Sequence, residues 1–435
     1  MRRSGLAAYR WVGAVVREAR KAAVVGGGVA GLTAAYILAS SYEVTLYEAD
    51  DRLGGHAHTR ELPEPGGGTV AVDSGFIVHN ERTYPTLLRL FRELDIGTQD
   101  AEMSMSVRCD GCDLEYAGAR GPAALFASRA ARRGRHVRLL AEVPVFHRGA
   151  RRLLARKVHP GVTFGDFLRE GGFSPYFVSH FALPLVAAVW SCPATTALSY
   201  PAAYLFAFLH HHGLLSVTGS PQWKTVTGGS GAYVTAAAKH VQRIRTSSPV
   251  DTVRRTGRGA LITTGDGGTD AFDAVVIATH PDQALRMLAD PTEEEQLLLG
   301  SFTYSRNPTV LHTDTRVLPR SPRARASWNY LMTGCDPSAE PVRVSYDMRR
   351  LQDLPEGADY IVTLGGEDGI AADRVVERMV YEHPVYTAAS VAAQNRLPRL
   401  NDGVTAYAGA WHRWGFHEDG CRSGVRAARS LGVRW

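Results

Sequence analysis

The chain has 435 residues, 45% hydrophobic and 21% charged, with a formal net charge of +6. That balance is ordinary for a soluble globular protein and leaves room for two interleaved domains rather than one simple core. No apolar run reaches the ~20 residues needed to span a bilayer, and five scattered cysteines argue against a disulfide framework.

Residues 1–20 form a basic extension, with Arg2, Arg3, Arg10, Arg17 and Arg20 against Glu18 alone. They lack a continuous apolar region and a cleavage site, so a cytoplasmic protein without a secretory signal is expected. Ala22–Val25 predicts a buried strand that meets Gly26-Gly27-Gly28-Val29-Ala30-Gly31, a fit to G-x-G-x-x-G. A helical stretch, Leu32–Ser40, follows, then a second strand, Glu43–Tyr47, and Glu48, 17 positions after Gly31. Such a unit binds a dinucleotide. Gly26 allows the tight turn, Gly28 lets the backbone approach a pyrophosphate, and Gly31 lets the helix pack on the strand. The helix start, with Val29 and Ala30 in its first turn, offers free N–H groups to phosphate. Glu48, with Ala49 beside it, is placed to accept hydrogen bonds from a ribose.

Further along, Pro63–Gly68 reads as a turn, and Val70–Gly75 as a strand ending near the first glycine segment. Residues 81–210 read mostly helical, with heptad-like apolar spacing in Tyr84–Leu94 and Val137–Leu154. Cys109-x-x-Cys112 has the spacing of half a zinc site, but no second Cys or His pair at ligand spacing accompanies it, so no metal is expected. Between Arg129 and Lys157, nine arginines and one lysine face a single acid, Glu142. That stretch is either a solvated helix face or a surface attracting an anionic membrane or acyl carrier. Nucleic acid is not expected, because no recognition motif accompanies the charge. His210-His211-His212 suits a loop or helix end better than a metal box, since consecutive helical residues point in different directions. Gly228-Gly229-Ser230-Gly231 precedes a helix, Val250–Val253 reads as a strand, and Ala274–Thr279 reads as a buried strand before His280-Pro281. Residues 301–395 alternate short strands and turns, and residues 404–428 read as strand, loop and helix start.

Two segments carry a resemblance. Asp51-Arg52-Leu53-Gly54-Gly55-His56 resembles the Arg-x-Gly-Gly extension of flavoproteins, where a second glycine turn wraps the FAD pyrophosphate; this favours FAD over a nicotinamide cofactor. Residues 404–428 resemble the last FAD segment of the flavin amine oxidase and phytoene desaturase superfamily. A narrower likeness, in Gly415–Gly420, Trp190-Ser191, Trp223–Val226, His312–Asp314 and Ser327–Tyr330, is to bacterial NAD/FAD-binding, amine-oxidase-like proteins encoded near cyclopropane-fatty-acid synthases. It covers roughly residues 20–435. The resemblance implies an α/β fold. A Rossmann-like FAD-binding domain (21–80, 222–300 and 400–435) would be interleaved with an α+β substrate domain (81–221 and 301–399), the strand at 274–279 closing the cofactor sheet. It also implies FAD contacts from Arg52, Gly54, Gly55, His56, Thr279, Gly409, Asp419, Gly420 and Ser423. Val253 would touch adenine through its backbone, and the helix opening at Gly420 would meet the isoalloxazine.

Candidates for the reacting face are Asp73–Phe76, His79-Asn80, Trp223-Lys224 and the loop with Trp411, His412, Trp414, Phe416 and His417. His417 is either an acid–base group or a loop-shaping hydrogen bond. Trp414 is either the wall of an aromatic cage or a packing residue. Lys224 would hold a water at flavin N5, as a lysine does in many amine oxidases, although its sequence context differs. His56, where those enzymes often have arginine, is either a covalent flavin anchor or phosphate-side packing. The expected function is FAD-dependent oxidation or desaturation of a lipophilic, fatty-acyl-like substrate by hydride transfer. An amine oxidase, a non-redox double-bond isomerase and a non-catalytic FAD-binding partner of a lipid-modifying enzyme remain as alternatives.

Overall fold

A computed structural model describes residues 19–64, 66–156, 161–217, 219–336 and 342–435; most of the basic N-terminal extension and Lys157 lie outside them. A five-stranded parallel sheet positions everything else. Its order is Arg243–Arg245, Glu43–Tyr47, Lys21–Val25, Ala274–Ile277, Thr405–Tyr407. Its three central strands are near-continuous apolar runs, as a sheet covered on both faces requires. Val25 lies level with Tyr47 and Ile277, and Ile277 with Tyr407. The carboxyl ends of four strands therefore reach one edge together, where open α/β sheets bind ligands. The strand Ala274–Ile277 is interior to the sheet; Thr405–Tyr407 closes that side, because the C-terminal strand pairs outside it.

On one face lie two helices, Val29–Leu38 and the C-terminal His417–Ser430, which cross closely. Their contact buries Ala30, Thr33 and Ala34 against Gly420, Gly424, Ala427 and Ala428. A seven-stranded mixed sheet forms the second layer, in the order Val375–Val385, Thr303–His312, Ile361–Leu364, Val344–Asp347, Trp328–Met332, Met105–Cys109, Leu114–Gly118. A layer of helices spans 122–211 and holds an aromatic core around Phe146, Phe164, Phe177 and Phe206.

The mostly helical expectation for 81–210 fails at its start. Thr98–Ala101, Met105–Cys109 and Leu114–Gly118 are strands. Met105–Cys109 pairs with Trp328–Met332, more than two hundred residues away in the chain, and no local pattern encodes that partner. Thr98–Ala101 and Val78–Asn80 both pair with Trp223–Val226, so this small sheet straddles the boundary expected at residue 80. Among the described residues, no helix is long and apolar enough to cross a membrane.

Candidate functional site

The first glycine turn has the geometry that dinucleotide binding needs. Gly26 adopts φ +102°, which only glycine takes freely, and its N–H donates to the Tyr47 carbonyl at 2.8 Å. A side chain at Gly31 would overlap the Gly26 carbonyl, so the helix sits directly on the turn. A Cβ at Gly28 would meet nothing within 4 Å. Open space thus faces the start of a helix whose N-cap, Gly28, has no side chain to satisfy the N–H groups of Val29, Ala30 and Gly31. Glu48 accepts from the Gly27 N–H (2.7 Å) and the Asp50 N–H (3.0 Å), one bond per oxygen. Each oxygen keeps acceptor capacity for a ribose hydroxyl. Ala49 is exposed beside it.

The second glycine turn docks on the first. Gly54 N–H donates to the Gly27 carbonyl at 2.8 Å, and Gly54 bridges Gly28. Arg52 donates to the carbonyls of Leu53 and Gly55 and so braces its own turn. Thr279, at the end of the strand Ala274–Ile277, lies against Gly26, and its carbonyl accepts from the Trp411 indole at 3.1 Å. An open cradle, an uncapped helix start and an acid at the adjacent strand end fit the adenosine and pyrophosphate of FAD.

Three cofactor expectations change. The C-terminal helix opens at His417, not Gly420. Gly420 and Gly424 lie within it, where side chains would collide with Val29 and the Ala30 carbonyl; they serve the helix crossing. Ser423 donates to the Gly420 carbonyl and accepts from the Gly409 N–H, tying strand end to helix. Asp419 accepts from the Phe416 N–H at 3.1 Å, so this terminus is partly capped by its own acid, whose pKa burial raises to about 7. Val253 is fully buried and its carbonyl accepts from Ala289, leaving it no reach to a cofactor. The segment beside Glu48 is Ser247–Ser248, whose N–H groups donate to the Asp50 and Glu48 carbonyls.

Two catalytic expectations also change. Lys224 pairs with Asp100 at 3.2 Å, near the surface, and so does not reach into the interior. Trp414 packs against Phe208 and Tyr204 in the helical layer's core, with the Arg413 guanidinium 3.7 Å above its ring. His417 is buried, stacked on Phe76 at 3.6 Å, with Nε2 3.2 Å from the Tyr233 hydroxyl. Burial pushes its pKa down to about 3. A ring that stays neutral at physiological pH is a poor proton shuttle, so the loop-shaping hydrogen bond describes it better.

A histidine–tyrosine wall gathers His56 and His280, both marked in the sequence, with residues of the facing sheet that were not. His56 projects from the second glycine turn to within 5.0 Å of the Tyr381 ring and 5.4 Å of His383. His280 stacks on Tyr304 at 3.9 Å, with Nδ1 3.2 Å from Glu382. Tyr381 bonds Ser74 and His58, and His383 Nδ1 accepts from Asn307. Burial lowers His56 well below its ordinary value, with His383, His280 and His417 each adding to the effect, and lowers His383 to about 4. His56, His280 and His383 nevertheless keep some accessible surface. The His56 Nε2 is buried without a hydrogen-bond partner. Nothing in the sequence marked His383 or Tyr304, because a single His or Tyr in a strand looks like any other.

Comparison with known proteins accords with this geometry. The chain belongs to the family of flavin containing amine oxidoreductases, matched over residues 29–323; it is an FAD-dependent oxidoreductase. No curated protein matches the sequence. Among solved structures, a CLA-producing fatty acid isomerase from P. acnes shares the fold with a TM-score of 0.67 at 16% identity, covering 94% of this chain and 98% of its own. A putrescine oxidase bound to putrescine gives 0.66 at 14%, covering 95% and 98%. The cyclohexylamine oxidase of Brevibacterium oxydans gives 0.65 at 15%, covering 95% and 99%.

Proposed function

We propose that this enzyme removes hydride from a lipophilic substrate of fatty-acyl type, with FAD held between the glycine turns and the histidine–tyrosine wall. FAD supplies the hydride acceptor; the chain binds and orients it and excludes water. The first helix start and Gly28 would hold the pyrophosphate and Glu48 the ribose. His56, His383, Tyr304 and Tyr381 would border the reacting end.

The observation that carries the substrate class is the electrical character of that wall. Burial lowers the pKa of His56, His280 and His383, and Glu382 pairs with the Arg306 guanidinium at 3.6 Å. A cationic amine calls for an unengaged carboxylate, whereas an acyl chain calls for an apolar, uncharged passage. A second feature supports docking on an anionic surface. On the helix Gly134–Ala155, Val137, Ala141, Val145, Arg148 and Arg152 share one exposed face, the pattern of a helix lying on an acidic acyl or lipid surface.

Anaerobic mixing of the FAD-loaded enzyme with unsaturated fatty acids, acyl thioesters, primary amines and polyamines tests the reading. Bleaching by the acyl compounds alone is the expected outcome. Rapid bleaching by amines, with the acyl compounds silent, overturns it. Product formation from an acyl chain with the flavin left oxidised would replace oxidation by isomerisation.

A further inference from the structure

Far from the glycine turns in sequence, the hairpin between Met105–Cys109 and Leu114–Gly118 carries Cys109 at its strand end and Cys112 in its turn. The neighbouring strand, Trp328–Met332, runs parallel, with Met332 level with Cys109, and continues into Gly334-Cys335. The Asp110 N–H donates to the Met332 carbonyl at 2.9 Å, locking the two loops side by side. A Cβ at Gly111 would lie 3.0 Å from Gly334 Cα and 3.1 Å from Cys335 N, so glycine permits the approach. From the helical layer, the single π-turn Val178–Ala182 brings down His180, and such turns recur at functional sites. The ligand atoms of Cys109, Cys112, His180 and Cys335 all lie within 4.8 Å of one another.

We propose that these four residues form a closed, tetrahedral zinc site that pins the helical layer to the seven-stranded sheet. The distances carry it. Zinc–sulfur bonds of about 2.3 Å and zinc–nitrogen bonds of about 2.0 Å place tetrahedral S···S edges near 3.8 Å and S···N edges near 3.5 Å. The Cys109 and Cys335 sulfurs lie 3.7 Å apart, and the Cys112 sulfur lies 3.6 Å from His180 Nε2. The imidazole is already oriented for the task. His180 Nδ1 lies 3.1 Å from the Tyr176 carbonyl and donates to it, which leaves Nε2 as the free lone pair. Tyr176 stacks on the ring at 4.1 Å, and the Tyr116 hydroxyl donates to the His180 carbonyl at 2.7 Å. Three thiolates and one imidazole select zinc over harder ions. Four protein ligands leave no open position, so the site is structural rather than catalytic.

Binding releases the three thiol protons and replaces the 3.4 Å contact of Cys109 with the Gly334 carbonyl. The metal would cross-link segments at 109–112, 180 and 335. It would also anchor the helix Leu183–Trp190, whose Trp190 indole donates to the Trp414 carbonyl at 3.3 Å. The Cys pair looks incomplete in the sequence because no second pair at ligand spacing follows it. The completing ligands are two single residues from different elements.

Metal analysis of the full-length, FAD-loaded enzyme, purified without chelators, is the test. About one zinc per chain is expected, as in other closed four-ligand sites. Cys335→Ser and Cys112→Ser should lose it, His180→Cys should retain it, and Cys192→Ser, at a buried cysteine outside the cluster, should change nothing. Bound FAD in each preparation shows whether the variant has folded. Wild-type protein that takes up no zinc on reconstitution under reducing conditions overturns the proposal, as does a mass showing a disulfide between cluster cysteines. Zinc that survives in a folded Cys112→Ser, Cys335→Ser double variant overturns the residue assignment, and iron at the same stoichiometry overturns the choice of metal.

Discussion

Glu48 is bound on both oxygens by backbone N–H groups before any ribose arrives, so its replacement acts twice. Glu48→Ala removes the ribose acceptor and also releases the Gly27 N–H that shapes the first glycine turn. FAD affinity should fall at least tenfold, since hydrogen bonds to a charged acceptor each contribute about 1.5–3 kcal/mol; flavin fluorescence released on dilution measures it, and unchanged retention would remove Glu48 from the cradle. His417 is expected to behave differently. Its ring is neutral, fully committed to Phe76 and Tyr233, and held to a pKa of about 3 by burial. His417→Gln keeps a polar contact for Tyr233, so flavin reduction should keep the shape of its pH profile from about pH 5 to 8. Loss of one limb of that profile in the variant would restore His417 as an acid–base group.

At the scale of elements, the crossing of Val29–Leu38 with His417–Ser430 depends on glycine at 420 and 424. A methyl group at 424 would overlap the Ala30 carbonyl, a backbone atom that cannot yield. Gly424→Ala should therefore cost about 1–3 kcal/mol, as overpacking does, and should loosen FAD, because the displaced helix carries the first glycine turn. A thermal melt with and without added FAD reads both. The basic helix Gly134–Ala155 supports another expectation. Arg148→Glu with Arg152→Glu should weaken sedimentation with anionic vesicles at least tenfold, given about 1 kcal/mol for each basic side chain near such a surface; equal binding by both proteins would make this face simply solvated. Elements also mark how far the sequence could be read. The first βαβ unit was legible because turn, helix face and acid lie within about thirty residues, and there the strand Glu43–Tyr47 has the bounds expected. The wall of His280, Tyr304, Tyr381 and His383 was not legible, since Tyr304 meets Tyr381 and His383 through the pairing of Thr303–His312 with Val375–Val385, and His280 joins them from the start of the helix Pro281–Met287. Tertiary convergence, not local pattern, makes that surface.

Across the whole molecule, burial of neutral histidines sets how the fold answers acid. Twelve histidines have pKa values lowered from 6.5, with desolvation the largest cause, eight of them to stated values: His58, His79, His147, His212, His312 and His383 to about 4, and His412 and His417 to about 3; His56, His136, His211 and His280 move the same way. Each binds its proton more tightly when unfolded, so between the folded and unfolded values the unfolded state carries more protons and stability rises with pH. The contribution is complete above about pH 6.5 and is lost progressively as the pH falls towards 4 and then 3. Four largely buried carboxyl groups, Asp73, Asp347, Glu418 and Asp419, work in the opposite sense. Asp73, raised to about 6, and Asp419, raised to about 7, favour the folded state when protonated and stabilise it less as the pH rises through those values. Twelve groups against four decide the sign below neutrality. The melting temperature of the FAD-loaded protein should therefore fall steadily as the pH is lowered from about 6.5 to 5, and two of the eight should carry separable shares. His79 has both ring nitrogens buried without a partner. His79→Phe should flatten the acid slope without lowering stability at neutral pH, whereas His417→Phe should flatten the slope but lose the Tyr233 hydrogen bond. A melting temperature indifferent to pH over that interval would mean that these rings are hydrated in the folded protein, and would withdraw the uncharged wall on which the substrate class rests.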